Sequence, residues 1–136
     1  MLTAKQVQND IYQMLRTSTL SSMISGAVYK AGYRPRDSRL EDAIVIFTAG
    51  LTAEVETGVV TINLYVPDID AFDNGVLVED GARTTELENA AAEWVETLTA
   101  EKSNYKFSLN KTIYTEADTD IKQHFVVIML EYKHLS

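Results

Sequence analysis

Cysteine is absent from the 136-residue chain, which removes disulfides, thiol catalysis and thiolate metal sites from consideration. Basic residues are scarce: 12 Lys and Arg stand against 20 Asp and Glu, for a formal net charge of -8. That balance disfavours tight, direct binding to nucleic acid, which calls for a basic surface. The two histidines, His124 and His134, sit in no readable partner constellation and are expected to be structural or edge residues. The sequence has no Gly-x-Ser-x-Gly elbow, no Gly-x-Gly-x-x-Gly loop and no Walker pattern, so nothing argues for a nucleophile or a phosphate cradle. No apolar run reaches membrane-spanning length, and Lys5, Gln6, Gln8, Asn9 and Asp10 occupy the place where a signal peptide needs an apolar core. The expectation is one soluble cytoplasmic domain over 1–136, with no cofactor, no metal and no membrane contact.

What is present is ordinary globular material, 46% hydrophobic and 24% charged. The strongest strand signal is the stretch 58–68, closed by Gly58 and Pro67. Alternation puts Val60, Ile62, Leu64 and Val66 on a dry face and Val59, Thr61, Asn63 and Tyr65 on a mixed one. A first helix over 3–16 follows from the capping-box spacing of Thr3 and Gln6 and the stripe Val7, Ile11, Met14, Leu15, with Gln8 left to solvent. The Ser- and Thr-rich segment 17–25 reads as a loop, and 26–30 as a short edge strand. Residues 43–49 are apolar on both faces, as in a strand covered on both sides, and should turn back through 50–57 as a long hairpin with the 58–66 strand. A second helix over 85–100 is marked by Thr85 and Glu88 at capping-box spacing and by the stripe Leu87, Ala90, Ala91, Trp94, Val95 and Leu98. Residues 105–114 alternate as one strand, and 124–132, apolar on both faces, belong at the centre of the sheet. The fold class is α+β: an antiparallel sheet of four or more strands with two packing helices, in the order α-β-β-α-β-β.

Two loops carry charge. Lys30, Arg34, Arg36 and Arg39 fall within ten positions, and protein contact, plain solvation or an anion ligand are all open for them. The acidic loop holds Asp68, Asp70, Asp73, Glu79 and Asp80, with Asn74-Gly75 as its turn. Asp68, Asp70 and Glu79 match positions one, three and twelve of a calcium loop. Phe72 and Asp73 stand at positions five and six, where that loop needs an oxygen ligand and a glycine, so calcium is not expected.

The stretches Tyr33-Arg34-Pro35-Arg36-Asp37-Ser38-Arg39-Leu40-Glu41-Asp42-Ala43-Ile44-Val45-Ile46 and Gly58-Val59-Val60-Thr61-Ile62-Asn63-Leu64-Tyr65-Val66-Pro67-Asp68 resemble the tail-completion and tail-terminator proteins of long-tailed bacteriophages and prophages. The later helix and the His124-Phe125-Val126-Val127-Ile128 strand fit the same layout. The resemblance implies a non-enzymatic structural subunit, found in the virion tail or neck or in the host cytoplasm before assembly. It would form a homo-oligomeric ring, commonly a hexamer, on the end of the tail tube, stop tube growth and meet the head connector. An acidic ring lumen would repel DNA sliding through it. In such a ring Arg34, Arg36 and Arg39, beside Lys30, are expected to approach Asp68, Asp70 or Asp73 of the next subunit, with Tyr33, Tyr65 and Phe72 supplying apolar contact. The competing expectation is an enzyme or small-ligand-binding domain of the same fold class, which a deep pocket with convergent polar groups would favour.

Overall fold

A computed structural model of the chain describes residues 1–135. Alternating side chains decide the architecture. Nine elements follow one another: α1 (Ala4–Arg16), α2 (Thr19–Met23), β1 (Val28–Lys30), β2 (Ala43–Leu51), β3 (Val55–Pro67), α3 (Gly81–Ala100), β4 (Tyr105–Leu109), β5 (Tyr114–Asp118) and β6 (Gln123–Leu135). The six strands form one sheet in the order β1-β2-β3-β6-β4, with β5 also paired to β6. β3 and β6 run antiparallel along their whole lengths, from Val55 opposite Leu135 to Pro67 opposite Gln123. The class is therefore α+β, and the last strand is central, as its two apolar faces require.

The expected layout needs four corrections. The sheet is mixed, because β1 pairs with β2 in parallel and the segment between them has to cross back over the sheet. Residues 17–25 contain the short helix α2, capped by Ser18 and anchored by buried Leu20. The expected 105–114 strand breaks in two. Leu109 pairs with Leu130 and Tyr114 with Val127, so five steps on one strand span three on its partner, and two residues bulge out. Finally, α3 begins at Gly81 rather than 85, because the Asp80 side chain accepts from the Arg83 amide as the cap. Thr85 lies inside the helix, with its hydroxyl on the Gly81 carbonyl.

Both long helices lie on one face of the sheet. α1 has the Thr3–Gln6 capping box and packs on β1 and β2, while α3 packs chiefly on β4 and β6. Between helices and sheet, Val7, Ile11, Leu15, Leu87, Ala91, Trp94 and Leu98 meet Val45, Val60, Ile62, Leu64, Ile128 and Leu130 in one core. Each large side chain fully buried there contributes about 1.5–3 kcal/mol. Gln8 is also buried, against expectation. It sits one residue from Val7 on the stripe's margin, and its Nε2 donates to the Val45 carbonyl at 3.0 Å, which satisfies the amide there. Gly58 permits the tight β2–β3–β6 junction: a Cβ on it would stand 2.3 Å from the Ala49 carbonyl and 2.6 Å from the Tyr132 ring.

Among the described residues the opposite face carries no helix. Ile44, Ile46, Val59, Thr61, Tyr65, Phe125 and Met129 are only half-buried on it, so β2 is not helix-covered on both sides.

Candidate functional site

Two segments at the Pro67–Gln123 end of the sheet carry most of the residues singled out from sequence. The first is the crossover 31–42. Its last residue, Asp42, is fully buried. One carboxylate oxygen accepts from the Ala27 amide at 3.0 Å, and the other from Ser38 Oγ at 2.5 Å and Arg34 Nε at 2.8 Å. Gly26 makes room for this, since a Cβ there would lie 1.9 Å from Asp42 Oδ1. Arg34 Nη2 also donates to Gln123 Oε1 at 2.8 Å and to the Leu40 carbonyl at 3.1 Å. Its guanidinium lies 4.2 Å from the Tyr65 ring centroid, and Tyr65 stacks on Phe125 at 5.1 Å.

Arg34 is therefore an internal tie, with 8% of its side chain exposed, although the sequence offered no partner for it within the domain. Burial alone would push the Asp42 carboxyl up, but the hydrogen bonds from Ser38, Arg34 and Ala27 outweigh it and hold the group below the usual range. Burial, with the Asp118 carboxylate nearby, pushes the Tyr65 phenol up. Arg39 is tied as well, donating from Nη1 to the Ile121 carbonyl at 2.9 Å. Lys30 lies 5.1 Å from the Tyr12 ring centroid. Arg36 and Tyr33 face solvent.

The second segment is the acidic loop 68–80. Asp68 Oδ1 lies 2.6 Å from His124 Nδ1, and Glu79 Oε1 lies 3.5 Å from the ring's other nitrogen. Glu79 Oε2 accepts from Thr84 Oγ1 at 2.7 Å. The backbones of Ile69 and Val78 pair with two hydrogen bonds of 2.8 Å. Asp70 spends both carboxylate oxygens on the Asn74 and Gly75 amides, each at 3.0 Å. The three carboxylates of the calcium template are thus engaged elsewhere, and among the described residues no group of three or more His, Cys, Asp or Glu is placed to hold a metal ion. Phe72 and Asp73 project outward from this braced loop, beside exposed Val76.

Of the ten residues expected at an interface, the structure groups Lys30 and Tyr33 at the β1 edge, sets Arg36 beside the open-face depression, and puts Phe72 and Asp73 on the loop tip. Arg34 and Tyr65 form a stack, Arg39 and Asp68 hold the fold together, and Asp70 shapes its own loop. The His124–Asp68–Glu79 and Arg34–Asp42–Gln123 clusters were not legible in sequence. Both depend on the β3–β6 register, which brings Val66 opposite His124 and Pro67 opposite Gln123.

Depressions flank the crossover. One of about 550 Å³ lies on the open face between Arg34, Arg36, Ile44, Tyr65 and Ile121, and one of about 260 Å³ lies at the β1 edge. No helix among the described residues is long and apolar enough to cross a membrane. Neither the known family models nor the curated proteins give a match to this sequence.

Proposed function

We propose that this chain is a non-enzymatic structural subunit of phage or prophage tails, assembling as a ring at the end of the tail tube and joining tail to head. The observation that carries this reading is the uncovered sheet face. Half-buried aliphatic and aromatic side chains lie there together, and beyond the end of β3 a braced loop lifts Phe72 into solvent. An amphipathic face of this kind, rimmed by charge, is what a subunit presents to neighbours. The segments that resemble tail-completion proteins supply this region: the first becomes the crossover and β2, the second becomes β3. The competing ligand-site reading has less support. Of the two arginines lining the larger depression, Arg34 already spends its charge on Asp42, which leaves Arg36 without a second polar side chain converging on the same point.

The test is made on tails. Tube protein polymerised with the purified chain should yield tubes bearing a density cap at one end and no further growth from that end in electron micrographs. Tubes with bare ends and an unchanged length distribution would remove this function.

A further inference from the structure

Of the twelve aromatic side chains, the two that are exposed are Phe72, at 75%, and Tyr33, at 74%. They belong to pieces of opposite shape. Phe72 stands on the 68–80 loop, which the Ile69–Val78 pair, the Asp70 side chain and the Asp68–His124 contact hold in one form. The ordering cost of presenting an aromatic anchor is therefore already met before any partner arrives. Tyr33 stands at the rim of a depression of about 260 Å³ formed with Tyr12, Val28, Tyr29 and Lys30. Its three tyrosines offer ring faces and edges against which a phenyl group can pack.

The charges match as well. Asp73 is exposed beside Phe72, whereas Lys30 lines the depression. On a chain of net charge -8, copies repel one another on average, and a local acidic-to-basic match is what overcomes that repulsion.

We infer that the Phe72 loop of one chain docks into the Tyr12–Tyr29–Tyr33 depression of a second copy, with Asp73 set against Lys30. The two surfaces differ, so the contact is heterologous and repeats from copy to copy. This deepens the assembly reading by naming the partner and the two surfaces. It drops Arg34 and Arg39, which the fold consumes, keeps Lys30, and adds Tyr12 and Tyr29.

The absence of cysteine makes the test direct. Ala71 and Ala31 are exposed and flank the two surfaces. Chains carrying Ala71→Cys are mixed in equal amounts with chains carrying Ala31→Cys, at millimolar concentration, and treated with a short bis-maleimide. Mixed 31–71 dimers should exceed the half expected from random pairing, and adding Phe72→Ala to the first chain should remove the excess. In sedimentation equilibrium Phe72→Ala or Tyr33→Ala should weaken self-association by about thirtyfold. Leu51→Ala, an exposed apolar change off both surfaces, should leave it unaltered. Statistical pairing, a preference for 71–71 or 31–31 dimers, or no cross-link at all would overturn the contact. Tubes still capped under that result would leave the tail function standing without this interface, while cross-linking copies that never cap tubes would do the reverse.

Discussion

On β3, Val60, Ile62, Leu64 and Val66 are no more than 2% exposed, while the residues between them, Thr61, Asn63 and Tyr65, stay half-buried. The two sets share a backbone and a hydrogen-bond ladder and differ only in which way the pleat points them. One set is covered by α1 and α3, and folding draws most of its apolar burial from it. The other is mixed, with Val59 and Tyr65 beside Thr61 and Asn63, and has no helix above it among the described residues, so its apolar part remains available for binding. One buried polar atom marks the difference: Asn63 Oδ1, on the open face, has no hydrogen-bond partner among the described residues. A face selected only for monomer stability would place an aliphatic group there.

The contrast can be broken most forcefully at the helix layer. Trp94 is 4% exposed, and Trp94→Ala should lower unfolding free energy by about 3–5 kcal/mol, measured by urea denaturation followed by circular dichroism. A loss below about 1 kcal/mol would mean that α3 does not close the core.

Next comes the crossover. Asp42 and Arg34 form a pair with side chains 1% and 8% exposed, and Asp42→Ala strands a buried guanidinium, at an expected cost of about 3–5 kcal/mol. The same carboxylate sets an acid limit. Its folded pKa is lowered, as is that of Glu41, chiefly by its hydrogen bond from Arg83. A depressed pKa means the unfolded chain takes up protons first as pH falls. The stabilisation is therefore complete above about pH 4, near the unfolded carboxyl values, and is lost as pH drops through the folded ones. The urea midpoint should fall below that pH, and less so in Glu41→Gln. A midpoint that rose on acidification would contradict both assignments.

Gly58→Ala probes the junction beneath both faces. Its Cβ has to displace the Ala49 backbone or the Tyr132 ring, and about 1–3 kcal/mol of overpacking strain is expected. An unchanged melting temperature would show that the junction yields freely.

The smallest effect belongs to the open face. Asn63→Val should be neutral to within about 0.5 kcal/mol, or stabilising, because it removes an unsatisfied buried acceptor from a strand. A large destabilisation would show that Asn63 supports the monomer, and the two faces would then differ less than their burial implies.

Periodicity and capping carried far in this chain. The dry side of β3, the apolar stripe of α3 with buried Trp94, the Thr3–Gln6 box, the β2–β3 hairpin and the central place of β6 all rest on spacings of two to four residues, or on a strand apolar on both faces. Such signals act within a single segment, and chain order preserves them. Tertiary structure alone decided the fates of Arg34, Asp68 and Gln8. Gln8 reads as solvated and Arg34 and Asp68 as contacts with another subunit, yet they are claimed by partners 37, 8 and 56 positions away within the chain. The same holds for the parallel placement of β1 and for the bare second face of β2. A polar side chain has no periodic signature for its partner, because the register of β3 on β6 and the path of the crossover set that distance, and both are fixed by burying the opposite face of the sheet.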